Sequence, residues 1–353
     1  MPRYLIVRIA GIGDVVMASA LLARIRSEQP AAEVTWVSGE TAAPLAEMLE
    51  GVTRVVAVNE HRLFRGSALQ RFAELIRAWR SIGFARFTRV FVVHVDARYA
   101  ALTLPLVTSP RVMLDRRIGP AMNPVPGRFL GDEYARLFDE AENVGPIAGH
   151  WPLARARVGV AAGDQTDIAI VPGGAKNVLR ESALRRWPIE SYVALTRELV
   201  ARGRTVTLVG NGDDAWVRPY FDDLPVDDRI GQLTLPQTLS LLAAARAVVS
   251  HDTGPMHLAR LVRTPLVALF GPTPPSHFIV ADEQTIVLWG GEHLACRPCY
   301  DGREFARCSN NACVASITVP AVVDAVMTLL SASDASARTP APTAPRAAPS
   351  RMA

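Results

Sequence analysis

The chain has 353 residues, enough for two domains of ordinary size, and its 49% apolar and 20% charged residues suit a globular protein folded in water. The net charge of +4 is small and comes mainly from arginine, which favours anionic ligands; no basic run of the kind that tracks nucleic acid is present, so no nucleic-acid partner is expected. The opening apolar run is broken by Arg8 and lacks a signal-peptide pattern, and no later stretch approaches ~18 apolar residues, which excludes a membrane span and points to the cytoplasm.

The first predicted element, "YLIVRIA" (4–10), is nearly continuous in apolar residues, as a parallel strand covered on both faces should be. Helical periodicity follows over 14–30 and stops at Pro30, and strands are predicted at 33–38, 54–58 and 89–95. Between the last two, 61–84 mixes arginines with Leu, Phe, Ile and Trp at helical spacing. It reads either as an ordinary amphipathic surface helix or as a segment in loose peripheral contact with the inner membrane surface. The second half repeats the theme, with strands at 167–174, 205–210, 247–250 and 265–271 and helices at 189–203, 236–247 and 256–262. Such alternation predicts parallel sheets with helices on both faces, hence an α/β chain of two doubly wound domains facing a cleft. The Gly-, Pro- and Ala-rich stretch 143–165 divides them, giving domains over 1–150 and 151–330. The Ala-Pro-Ser-Arg tail, 331–353, has too little apolar surface to fold and is expected to be disordered.

Ligands of open parallel sheets bind beyond the carboxyl ends of the strands, and four such ends carry chemistry here. "VVSHDTGPMHLARL" reads as strand, tight turn and helix start, with Thr253 and Gly254 offering backbone N–H groups to a phosphate and His257 one turn in. Asp252 or Thr253 can also be read as helix caps, and His251, Asp252 and His257 as metal ligands, though without a matching carboxylate cluster. "AGIGDVV" lacks the third glycine of a dinucleotide loop; Asp14 there is either an N-cap or, with the helix mouth on the cleft, a base for a sugar hydroxyl. "VPGGAKNVLRESALRRWP" sets Lys176, Arg180, Arg185 and Arg186 around a glycine turn, suited to a departing diphosphate, and "LVGNGDDAW" offers Asp213 and Asp214 for ribose hydroxyls. No D-x-D triplet is present to hold a divalent metal, so protein cations are expected to stabilise the leaving group.

These segments together resemble glycosyltransferase family nine, the bacterial lipopolysaccharide heptosyltransferases. "HDTGPMHLARLVRTPLVALFGPTPP" (251–275) is close to that family's signature, "YLIVRIAGIGDVVMASALLARIR" (4–26) to its opening motif and "RRWP" (185–188) to its K/R-x-W-P element. The resemblance implies two Rossmann-like domains in the GT-B arrangement and an inverting, metal-independent transfer from ADP-heptose or a related sugar, with no catalytic cofactor. It implies Asp14 as general base and Arg185, Asp214, Asp252, Thr253, Gly254 and His257 as donor-side residues; Lys176 joins the donor side by its charge at the glycine turn, and Gly13 and Arg8 are placed on the acceptor side. Arg8 and basic residues in 61–80 are candidates for anionic groups of a lipopolysaccharide-core or other glycan acceptor. The chain departs from the pattern in a long spacer after the glycine turn and in "GDEYARLF" (131–138), where Asp132 stands in place of a frequent histidine.

All four cysteines, Cys296, Cys299, Cys308 and Cys313, fall in one segment. C-x2-C followed by a pair spaced by four fits a structural zinc site, free or regulatory thiols, or disulfides. Two other functional classes stay open: a non-catalytic nucleotide-sugar or glycan binding protein of the same fold, and an NAD-dependent oxidoreductase suggested by strands and glycine turns alone.

Overall fold

A computed structural model describes the chain except for residues 10, 95–96, 114–128, 140–152, 160–165, 177–180, 301–304, 309 and 339–353. In chain order the first half runs β1 (Arg3–Val7), α1 (Ile12–Glu28), β2 (Glu33–Gly39), α2 (Ala43–Met48), β3 (Arg54–Val58), α3 (Glu60–Arg65), α4 (Ala68–Ile82), β4 (Arg89–Val92), β5 (Arg111–Met113) and α5 (Leu130–Ala135). Its five strands lie in the order β3-β2-β1-β4-β5, every pair parallel. Alternate residues of β1 feed opposite faces: Tyr4 and Ile6 pack with α1, Leu5 and Val7 with Ala78 and Ile82 of α4. The unbroken apolar run in the sequence follows from that double burial.

The second half runs β6 (Ile168–Val171), α6 (Ile189–Ala201), β7 (Val206–Leu208), β8 (Asp227–Asp228), α7 (Leu235–Ala244), β9 (Ala247–His251), α8 (Gly254–Leu261), β10 (Leu266–Phe270), α9 (Pro275–Phe278), β11 (Thr285–Trp289), α10 (Ala312–Ala315) and α11 (Val319–Arg338). The six strands order as β11-β10-β9-β6-β7-β8, again all parallel. Both sheets are therefore doubly wound, and each reverses its winding direction once, beside β1 in the first and between β6 and β9 in the second. One apolar cluster runs from Val15, Val16 and Met17 of α1 to Met256 and Leu258 of α8, joining the halves. The two α/β units of the sequence reading are thus present, while part of the dividing stretch 143–165 lies outside the described residues.

At the C-terminus the structure differs from the sequence reading. Helix α11 continues to Arg338, so residues 331–338 are helical rather than part of a disordered tail. Ala and Ser extend the helix of the preceding turns, and an ion pair between Arg246 and Asp334 (2.5 Å) ties it to the start of β9. No helix among the described residues is long and apolar enough to cross a membrane.

Candidate functional site

The two winding reversals bring chemistry to facing sheet edges. In the first domain β1 runs out into Arg8 and then α1, while its neighbour β4 runs out into Val93 and His94. Asp14 is the third residue of α1. The N-cap is Gly11, with no side-chain cap bond, so Asp14 does not spend its carboxylate as a cap. Its side chain is 36% exposed and takes the Arg8 guanidinium at 2.5 Å.

Arg8 lies beneath Asp14 rather than on an open acceptor surface. Its side chain is only 6% exposed. One guanidinium nitrogen donates to the Val93 carbonyl at 2.5 Å; the other serves Asp14 and the Tyr134 hydroxyl of α5 at 3.1 Å. Burial works against its charge, and Tyr134 and Asp14 more than offset that, so its pKa is raised. His94 takes the Ile9 N–H on Nε2 at 2.9 Å and stacks on Tyr99 with ring centroids 3.4 Å apart. Burial, then the neighbouring Arg8 charge, holds this imidazole neutral well below its ordinary range.

In the second domain the strand-end loops bond to one another. Gly174 donates its N–H to Asp214 Oδ1 (2.6 Å), the next residue, Ala175, donates to Thr253 Oγ1 (2.9 Å), and Asp214 Oδ2 accepts from Asn211 N–H (2.9 Å). Asp214 is therefore a buried latch between the ends of β6 and β7. A side chain on Gly174, at φ +87°, would meet Thr253 Oγ1 at 2.5 Å. Arg186 bonds the Gly174 carbonyl through two nitrogens (2.9 and 2.7 Å) and clamps the turn from its other side. Arg185 reaches Asp252 at 3.4 Å, and Thr273 Oγ1 donates to the same carboxylate oxygen at 2.9 Å. Arg185 Nε is buried with no hydrogen-bond partner among the described residues. Lys176 makes an exposed pair with Asp213 at 3.0 Å. Arg180 lies outside the described residues.

Thr253 is the N-cap of α8 and Gly254 its first residue. Here the halves touch: a Cβ on Gly13 would lie 2.5 Å from His257 Cδ2, and one on Gly254 would lie 3.4 Å from Ile12 Cβ. The N-terminal turns of α1 and α8 thus meet, and each contributes partial positive charge to the same place. Burial lowers the His257 imidazole to about 4, partly countered by Asp252 and Asp14, so it is neutral at pH 7. His251 faces away from this junction. It sits in the core with Nδ1 2.9 Å from the Tyr192 hydroxyl, and burial pushes it down to about 3. Trp187 of "RRWP" packs edge-on against that tyrosine. The histidines and Asp252 do not form a metal cluster.

The four cysteines form no disulfide in the structure; two are exposed, Cys299 is half-buried and Cys313 buried. Burial, then neighbouring thiols, raises the pKa of Cys299 and Cys313. Among the described residues no three Cys, His, Asp or Glu gather around one point.

Sequence reasoning brought together Asp14, Gly13, Gly254, His257, Asp252 and Arg185. It missed Tyr134, His94 and the clamp by Arg186. His94 had a readable signal, a polar residue at the end of a strand; Tyr134 had none, because its role arises only when α5 packs on α1.

Residues 75–308 match the family described as glycosyltransferase family 9 (heptosyltransferase). Lipooligosaccharide heptosyltransferase 2 of Haemophilus influenzae is 35% identical over 122 residues, 32% of this chain and 35% of that protein. Matches to heptosyltransferase 2 proteins thus span about a third of their length. Lipopolysaccharide heptosyltransferase 1 of Pseudomonas aeruginosa is 24% identical over 315 residues, 84% of this chain and 86% of that one. The structure of E. coli ADP-heptose lps heptosyltransferase II superposes with a TM-score of 0.70 at 18% identity, covering 95% of this chain and 100% of that chain. That likeness fixes the fold as the two-domain GT-B type. By its match over 75–308, the chain belongs to glycosyltransferase family 9, the heptosyltransferases.

Proposed function

We propose that the chain transfers heptose from ADP-heptose to an inner-core lipopolysaccharide sugar or a related glycan, with inversion and without a catalytic metal. The observation that carries this reading is the half-exposed Asp14 carboxylate, held by Arg8 at the junction where α1 meets the N-terminus of α8. E. coli heptosyltransferase WaaC, solved with ADP, shares the fold (TM-score 0.68) and supports the choice of donor.

On this reading Asp14 accepts the proton of an acceptor hydroxyl as its oxygen attacks the anomeric carbon. The bond from that carbon to the diphosphate breaks, and the electron pair leaves with the phosphate oxygen. Negative charge then grows beside the α8 N-terminus, where backbone dipoles stand ready. Arg185, paired with Asp252 just before that turn and with an unpartnered buried Nε, is one cation available to it, and Lys176 on its flexible stem is a second. Attack from the side opposite the diphosphate inverts the anomeric centre. His257, neutral at pH 7, acts as a hydrogen-bonding group and not as a charge.

The test is product analysis with a panel of nucleotide diphosphate sugars and truncated core acceptors, in chelator. ADP release coupled to heptosyl transfer with inverted anomeric configuration is expected. Strict dependence on added Mg²⁺, or retention of configuration, would overturn the mechanism; nucleotide binding with no turnover on any acceptor would favour a binding protein.

A further inference from the structure

Of the eight large apolar side chains exposed among the described residues, five lie on α4 or close to it in the fold, the others being Met1, Trp216 and Tyr220. Among the described residues, Leu69, Phe72 and Phe84 lie on α4 or just after it, at 77%, 58% and 71% exposure, and Leu104 and Val107 lie on the segment packed beside that helix. The segment is fixed there by Trp79 Nε1, which donates to the Ala101 carbonyl at 2.9 Å. Leu69, Phe72, Ala73 and Ile76 follow the three-and-four spacing of one helix face. Phe72, Ala73 and Ile76 line an open groove of about 560 Å³ with Arg77, Arg80 and Ser81. Helix α4 already buries its opposite face on the sheet through Ala78 and Ile82, so this apolar stripe is not needed for the core.

The charge around the stripe has one sign. Arg62, Arg65, Arg71, Arg77, Arg80 and Arg86 are all exposed, whereas the two carboxylates of residues 60–86 turn inward. Glu74 is buried on the Asn59 N–H and Arg77, and burial raises the pKa of Glu60. Isolated exposed apolar residues are ordinary, but a contiguous stripe rimmed by like charge marks a contact surface. Two copies related by a two-fold axis would set arginine against arginine, which disfavours self-association through this face.

We infer that the α4 face docks on an anionic phospholipid surface, with Leu69, Phe72 and Phe84 entering the headgroup boundary and the arginines on the lipid phosphates. The inference does not depend on the transfer reaction. It turns the earlier choice between an ordinary surface helix and a membrane-contacting one into a choice about named, exposed side chains.

The test is co-sedimentation of the full chain with vesicles of phosphatidylcholine alone or mixed with phosphatidylglycerol. Binding to the mixed vesicles only, weakening as salt is raised, is expected. Arg86→Ala should weaken partitioning about fivefold, and Leu69→Ser with Phe72→Ser by roughly tenfold. These positions are exposed, so folding by circular dichroism and turnover of a soluble, lipid-free acceptor should be unchanged. Equal binding to both vesicle types, binding to neither, or undiminished binding by the variants would overturn the proposal. So would a concentration-dependent dimer abolished by Leu69→Ser and Phe72→Ser, which would identify a second copy as the occupant.

Discussion

Arg8 takes a positive charge into the interior with one carboxylate, itself half exposed, to answer it. Burying an arginine for stability alone is a poor arrangement, since an apolar residue of similar size often serves as well. A positioning role explains the arrangement better: three acceptors fix the guanidinium, and the guanidinium fixes Asp14. Arg8→Met should therefore leave the unfolding free energy within about 2 kcal/mol of wild type but lower kcat by up to ~10²-fold, the scale of a misplaced reacting group. In an Asp14→Asn background the same change should add little, because the two residues act as one unit. Kinetics of the two single variants and the double variant check this; fully additive losses would assign Arg8 an independent role. At this scale the sequence told less than it seemed to. Asp14 was readable from its place between strand and helix, but Arg8, read as an acceptor contact, has its place decided by Val93 and Tyr134, far away in the chain.

At the scale of elements, the junction of α1 with α8 is the part of the site most sensitive to shape. Only a residue without a side chain lets the Gly13 backbone lie against His257. Gly13→Ala forces a 2.5 Å contact with the imidazole. Separating the helices to relieve it should destabilise the fold by about 1–3 kcal/mol. Turnover should fall more than ADP affinity, since Asp14 moves away from the donor turn while the loops of the second domain stay latched; steady-state kinetics beside calorimetry of ADP binding would show it. Elements that announce themselves by period were legible: 54–58 is β3, and the strands and helices around α6, α7 and α8 fall where the apolar pattern sets them. Edge strands β5 and β8, three and two residues long, were not, because they exist through pairing with a neighbour and not through a pattern of their own. Helix α5 was obscured for a different reason. Asp132, Glu133 and Arg136 interrupt any apolar period there, yet all three are buried.

For the whole molecule, three neutral histidines held in the interior link stability to pH. His94, His251 and His257 all have imidazole pKa values depressed by burial, the last two to about 3 and 4. In the unfolded chain each titrates near ~6.5. Below that pH the unfolded state takes up protons that the folded state refuses, so stability is full above ~6.5 and falls as pH drops towards the folded values. Each histidine contributes a slope of up to about 1.4 kcal/mol per pH unit. Denaturant unfolding at pH 7, 6 and 5 should show a steady loss, shallower in His251→Gln; a flat profile would mean that these imidazoles are not held neutral.

The proposed function rests on two doubly wound halves meeting so that Asp14, the proposed base, lies in one and the proposed anion site, the start of α8, in the other. Single-turnover transfer by Asp14→Asn, measured beside its ADP affinity, tests that most directly. The account predicts a rate lower by ~10²–10⁴ with nucleotide binding kept within about twofold of wild type, as expected when only the base is removed. A variant that transfers sugar at the wild-type rate would contradict it.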